Sequence, residues 1–354
     1  MNHEIGLLLD IEDRLKHHHV PGIGMAVFQN GNMKVESFGI MECGTNHKIT
    51  AETLFHACSI SKMATAIGVL RLVQEGVLEL DVDVNQYLTT WCIPENKYTE
   101  QKKVTLRQLL AHQGGFVDSE GSFGILQKDD QVPAVNEILN GYTRYNPAPL
   151  QVTYEPESEF SYSDGGYCIV EQIVEDVTGE SFDAVMERVI MAPLNLKSTT
   201  YLNPYKMNKK TSAGHDQRGL RVEGKRAYYP YLAASGLWTT PAELALLTLE
   251  VTAAWNGSFH SILRPDTARM MLEGFGCDKA AGLGVFVLQD NDEPYFVSKG
   301  WGVGFQCMLL AYPRLQSGII VMTNSDPGKP QNEALTGEII RIIAKENDWP
   351  GFFS

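Results

Sequence analysis

The hydrophobic pattern divides the chain into three stretches. Residues 4–19 carry apolar positions at helical spacing, Ile11 and Leu15 among them, and predict a helix. Residues 24–29 and 33–38 predict two strands joined by Gln29-Asn30-Gly31-Asn32, and Asn-Gly between apolar runs is a strong hairpin signal. Near the other end, residues 284–288, 295–298, 305–312 and 318–323 predict strands. Residues 332–346 predict a closing helix, with Ala334, Leu335, Ile339, Ile342 and Ile343 on one face. Strands at both ends with short turns imply one antiparallel sheet assembled from the two ends of the chain.

The middle of the chain has a helical period instead. Met63, Ala66, Ile67, Leu70 and Val73 mark a helix capped by Gly76. Thr105-Leu106-Arg107-Gln108 is a capping box with a Val104–Leu109 staple, and that helix is expected to run to Gly114-Gly115. Ile169, Val170, Ile173, Val174 and Val177 mark another helix, ended by Gly179, and Ser181 is expected to cap the next. Thr240-Pro241 begins a fourth. Residues 115–155 and 200–235 are loop-rich. The expected fold class is therefore α/β (α+β). Residues 1–58 and 251–354 would form an antiparallel sheet domain flanked by helices, residues 59–250 an inserted, mainly helical domain, and the cleft between them a ligand site.

Composition narrows the function. Of 354 residues, 44% are hydrophobic and 20% charged, as in ordinary globular proteins, and the formal net charge is −14. An acidic surface repels phosphate backbones and anionic lipids, so neither nucleic acid nor a membrane is an expected partner. No apolar run is long enough to span a bilayer, and the opening residues lack signal-peptide features, so the expected location is cytoplasmic. The six scattered cysteines lack zinc-site spacing and are expected to be mostly buried free thiols. His17-His18-His19 has no ligand partner at metal spacing and is expected to be a solvated helix end. No metal and no cofactor is expected.

Three stretches carry chemistry. In Cys58-Ser59-Ile60-Ser61-Lys62, Ser59 opens a helix and Lys62 shares its face one turn on. A serine hydroxyl needs a base to become a nucleophile, and a lysine can be that base if its pKa is held down. In Phe160-Ser161-Tyr162-Ser163-Asp164-Gly165-Gly166, the Tyr162 hydroxyl can pass protons beside a lysine. In Ser298-Lys299-Gly300-Trp301-Gly302, glycines would let a substrate approach the strand backbone.

In this order the three stretches resemble the serine β-lactamase and penicillin-binding protein superfamily, in the branch of class C β-lactamases, D-alanyl carboxypeptidases and related esterases. Val20-Pro21-Gly22-Ile23-Gly24, Leu106 to Gly115, Ala192-Pro193-Leu194-Asn195-Leu196 and Ala234-Ser235-Gly236-Leu237-Trp238 match the same pattern, so the resemblance covers nearly the whole chain. It implies a serine hydrolase in which Ser59 forms an acyl-enzyme, Lys62 and Tyr162 shuttle the proton, and the backbone N–H groups of Ser59 and Trp301 form the oxyanion hole. Asp164, Ser298, Lys299, Gly300 and Trp301 would bind substrate, a small ester, amide or β-lactam. His112 fits the family's structural helix-end histidine.

Two positions depart from the family pattern. Asp164 stands where the second motif has Asn, which removes a donor and sets a carboxylate near Lys62. Ser298 takes the cationic position of the third motif, with Lys299 shifted onto the opposite strand face. Without that cation a substrate carboxylate is poorly held. A neutral ester or amide therefore gains weight over a β-lactamase or D-amino-acid peptidase, while the same two departures, Asp164 and Ser298, keep open a reading of another class, a catalytically weak penicillin-binding sensor.

Overall fold

The computed structural model describes residues 10–127, 129–201, 203, 207, 210–258 and 261–351. A six-stranded antiparallel sheet is built from β1 (Gly22–Gln29), β2 (Asn32–Gly39), β3 (Phe286–Asp290), β4 (Glu293–Gly302), β5 (Phe305–Tyr312) and β6 (Ser317–Thr323), in the order β2-β1-β6-β5-β4-β3. The two ends of the chain meet at its centre, where Ile23 of β1 pairs with Thr323 of β6. The predicted strands are all present. The main difference is β4, expected over 295–298, which continues through Gly302 and pairs with β5 as far as Phe305. Two glycines break the apolar alternation there, which hid the extension.

Alternation along the strands sorts side chains onto two faces. Ile23, Met25, Val27, Val297, Met308, Leu310, Ile319 and Val321 pack against α1 (Ile11–His17) and α6 (Leu335–Glu346). Ala26, Phe28, Phe296, Leu309, Ile320 and Met322 face the larger core, which includes α2 (Ser61–Gln74) and α5 (Pro241–Trp255). Burying each large apolar side chain contributes about 1.5–3 kcal/mol, so both faces hold the sheet in register.

The middle of the chain adds α3 (Leu106–Leu110) and α4 (Asp164–Thr178). Thr105 makes the expected capping box with Gln108. The α3 helix stops well before Gly114, because His112 turns into the left-handed region at φ 57°. Ser181 stands at the N-cap as expected but makes no side-chain capping bond; its hydroxyl donates to Asp183 instead. The boundary expected at 250 falls inside α5, which packs on β1 and β6.

Residues 4–9 of the first predicted helix lie outside the described residues, and α1 covers the remainder to His17. The histidine run is not wholly solvated. His18 is buried and bonds Glu338 at 2.8 Å, beside the Arg14–Glu338 ion pair. Cys58, Cys168 and Cys307 are buried free thiols, while Cys43, Cys92 and Cys277 are exposed. Among the described residues, no helix is long and apolar enough to cross a membrane.

Candidate active site

Ser59 sits in a single 3₁₀ turn, Cys58–Ile60, that leads directly into α2. Cys58 holds a left-handed φ of 50°, which turns the chain just before Ser59. Lys62 follows one turn on and is 2% exposed. Its Nζ donates to Asp164 Oδ1 at 2.6 Å, to the Ala234 carbonyl at 3.0 Å and to Ser59 Oγ at 3.3 Å. An ammonium has three N–H donors, and all three are used. Burial alone would push Lys62 down, but the Asp164 carboxylate and Tyr162 outweigh it and hold the ammonium above the ordinary lysine value. Lys62 is therefore charged at neutral pH.

Tyr162 leaves one side of its ring open to the cleft, 41% exposed, while Lys62 Nζ lies 4.8 Å from the ring centroid. Crowding of its hydroxyl end raises the phenol, and Lys62 offsets this only in part, so Tyr162 is neutral at ordinary pH. His112 stacks on Tyr162 with ring centroids 4.3 Å apart. Its Nδ1 accepts the Ser163 N–H at 3.2 Å, which assigns the remaining ring proton to Nε2. Burial, reinforced by Lys62, keeps His112 well below its usual value and uncharged. It supports the tyrosine and offers no free lone pair.

Asp118 gave no signal in the sequence, lying 46 residues before Asp164 in a loop-rich stretch. Its Oδ1 accepts from Ser163 Oγ at 2.6 Å and from the Gly165 N–H at 3.2 Å, and its Oδ2 accepts the Asp164 N–H at 2.6 Å. These bonds fix the start of α4 and therefore the side chains of Tyr162 and Asp164. Glu171 was also missed. It is 2% exposed and accepts the Ala233 N–H at 2.8 Å, holding the short helix Leu232–Ser235 whose Ala234 carbonyl binds Lys62.

Burial pushes the Glu171 carboxyl up to about 8. A carboxyl raised in the folded state binds more protons there than in the unfolded chain, so stability falls as pH rises from about 4.5 to about 8. Thermal unfolding of Glu171→Gln should show a shallower fall in Tm across that window than wild type. Parallel curves for the two proteins would show that Glu171 does not titrate there.

Pairing of β4 with β3 ends at Val297 and Phe286, whereas pairing with β5 runs on to Gly302. Among the described residues, one edge of residues 298–302 is therefore free beside the turn that carries Ser59. In a two-residue hairpin the closing pair, Gly302 and Phe305, exchanges both hydrogen bonds. The alternation that follows turns the Lys299 and Trp301 N–H groups toward the free edge. Ser298 is 5% exposed, on the Phe296 face, and lines the narrow space over Ser59 with Lys62, His112, Phe160 and Tyr162.

Two expected substrate contacts, Trp301 and Gly300, are placed differently, while Lys299 falls on the opposite strand face as its parity implies. The Lys299 side chain stands on the Val297 face, away from Ser59, because neighbouring strand residues point to opposite faces. The Trp301 indole also turns away and donates to Asp326 at 2.6 Å, leaving only its backbone beside the cleft. Gly300 does not make room for substrate. A Cβ there would lie 2.2 Å from the Ala57 carbonyl oxygen and 2.5 Å from Cys307 Sγ, so its bare face admits the segment that carries Ser59. Gly302 plays the same part against Cys58 and Tyr229.

With this geometry in hand, comparison with known proteins is decisive at the level of family. A family model described as Beta-lactamase matches residues 10–342. The chain belongs to the beta-lactamase family. Among curated relatives, Protein flp of Staphylococcus aureus (strain MRSA252) is 24% identical over 324 residues, covering 89% of this chain and 61% of the relative. The chain thus spans about three-fifths of the length of that relative. Penicillin-binding protein 4 of Amycolatopsis lactamdurans is 28% identical over 200 residues, covering 56% of this chain and 49% of that protein. A D-amino acid amidase structure from Ochrobactrum anthropi SV3 superposes with a TM-score of 0.76 at 19% identity, covering 98% of this chain and 99% of the other. The octameric penicillin-binding protein homologue of Pyrococcus abyssi gives 0.76 at 21% identity, covering 98% and 78%. These structures share the beta-lactamase family's mixed fold, an antiparallel sheet flanked by helices.

Proposed function

We propose that this beta-lactamase-family chain is a serine hydrolase that cleaves a small neutral ester or amide through an acyl-enzyme on Ser59. The observation that carries this reading is one lysine Nζ held between Ser59 Oγ and Asp164 Oδ1. Ser59 would attack the substrate carbonyl. One Nζ–H proton would first pass to Asp164 Oδ1; rotation about the Cε–Nζ bond would then turn the freed lone pair to Ser59, and Nζ would take the Oγ–H proton, so Lys62 ends charged and Asp164 holds the net proton. Lys62 is already cationic, Tyr162 is neutral and His112 has no free lone pair, which leaves the Asp164 carboxylate as the base in contact with the group. The proton would return through Lys62, with Tyr162 beside it, to the leaving oxygen or nitrogen as the carbonyl–leaving-group bond breaks. The Ser59 and Trp301 N–H groups would bind the oxyanion. The space over Ser59, about 20 Å³, is on the scale of a single water, which would then hydrolyse the acyl ester.

The cleft face of β4 carries Phe296, Ser298, Gly300 and Gly302, hence no cation for a substrate carboxylate. That favours p-nitrophenyl esters over a carboxylate-bearing cephalosporin. The amidase among the similar structures is named for an amide substrate, which keeps small amides in the same proposal. We also take the site to lie between a sheet unit from both chain ends and a helical unit within 59–250, with α5 belonging to the sheet.

Intact mass after incubation with a fluorophosphonate tests the nucleophile: one adduct is expected, and no adduct would overturn the reading. The Asp164→Asn variant tests the acceptor. At neutral pH its ester hydrolysis should fall by about a hundredfold, the scale of a general base. Losing the carboxylate lets the lysine pKa drop, so the residual rate should climb with pH as neutral Lys62 appears. A variant with the wild-type rate and pH profile would remove Asp164 from the proton path.

A further inference from the structure

We propose that a second cavity, on the outer face of the sheet, binds a small carboxylate with an apolar tail. The cavity measures about 600 Å³ and lies between β3, β4 and α6, on the side of the sheet opposite Ser59. Lys299 and Arg341 supply its cations. Lys299 is half-buried, and among the described residues it makes no ion pair or hydrogen bond. Burial alone lowers its ammonium, a cost that a bound anion would offset. Arg341 donates one Nη1 bond to the Asn332 carbonyl at 2.7 Å and pairs with no carboxylate among the described residues.

Apart from Lys299, Arg341 and Asn332 the wall is mostly apolar. Phe286 pairs with Val297 and Leu288 pairs with Tyr295, so these four side chains line the cavity in two alternate rungs. From Lys299 to Tyr295 the strand rises about 13 Å, the reach of a medium-length acyl chain. Leu288 is 41% exposed, an apolar surface left uncovered. The far end is marked by Gly351, with Asp290 beside it, and that carboxylate disfavours a second anion there. A single head group at Lys299 and Arg341 with a tail along Phe286 and Leu288 matches this polarity. Phe286 and Lys299 line both this cavity and the space over Ser59, so occupancy would be felt at the catalytic edge.

Octanoate binding to the full chain, followed by calorimetry, tests the site. Saturable binding is expected, at least about tenfold tighter than that of octan-1-ol and at least about tenfold weaker in Lys299→Met, the scale of one lost charge-assisted contact. Lys299→Met keeps an apolar stem of similar length, and unchanged thermal unfolding would confirm that it folds. Binding should persist after Ser59 is blocked with a fluorophosphonate. If Ser59 takes no label, the titration still stands on the untreated protein, so the two readings fail separately. No saturable binding, equal affinity in Lys299→Met, or loss of binding on blocking Ser59 would each overturn the proposal. So would binding confined to a chain ending at Gly351, which would assign the cavity to Phe352 and Phe353 of the chain itself.

Discussion

Under the proposed mechanism, ester hydrolysis by Ser59→Ala should fall at least about a thousandfold below wild type, and its fluorophosphonate adduct should disappear. Among the groups gathered around Lys62, only Ser59 has a hydroxyl that both accepts from Nζ and stands at the free edge of β4. Ser61 is no substitute, because its hydroxyl donates to the Cys58 carbonyl at 2.6 Å and accepts the Leu237 N–H at 3.0 Å. Removing Ser59 Oγ leaves Lys62, Asp164 and the backbone donors in place, so the variant should keep its fold and its Tm. A Ser59→Ala protein that still hydrolyses p-nitrophenyl esters at the wild-type rate, after removal of contaminating esterase, would place the nucleophile elsewhere.

The second large effect comes from a residue with no side chain. Gly300→Ala should lower both stability and activity. The added methyl would meet the Ala57 carbonyl oxygen and Cys307 Sγ, one of them backbone and neither at the end of a flexible side chain. Overpacking of this kind costs about 1–3 kcal/mol. To relieve the clash, β4 and the Cys58–Ile60 turn must separate. That separation moves the Trp301 N–H away from Ser59, and a displacement of about 1 Å in such a constellation can cost about a hundredfold in rate. A lowered Tm with an unchanged turnover number in the surviving folded protein would show that the strand and the turn do not position one another. Wild-type values for both would remove the packing argument altogether.

Much of this was legible in the sequence, and the reasons differ by element. Strands and helices followed from period, since Ile23, Met25 and Val27 or Met63, Ile67 and Leu70 can bury one face only in one conformation. The β4 extension was missed because Gly300 and Gly302 erase the alternation that marks a strand. Ser59, Lys62, Tyr162 and Asp164 could be proposed from sequence because their motifs are local, and the structure brings them together around Lys62 Nζ. Asp118 and Glu171 were not, because each works through hydrogen bonds to backbone from a distant segment, and no spacing rule records that. Lys299 against Ser298 was a question of strand parity, and the register of β4 on β5 answers it: Ser298 pairs with Leu309 on the cleft face, Lys299 with Met308 on the other.

The central pairing of β1 with β6 joins residues about 300 positions apart, as in Ile23 with Thr323. On a ribosome, β1 is made before β6 and has no strand partner but β2 until β6 has been made. The segment carrying Ser59 must wait as well, for it packs on β4 near the other end. Helices of the middle stretch can form meanwhile, since their contacts are local. A half-made chain thus exposes the unpaired edge of β1, an apolar strand open to mispairing. Slower translation through the middle stretch would lengthen that exposure, so the yield of folded protein should depend on elongation rate and on chaperones that shield strand edges.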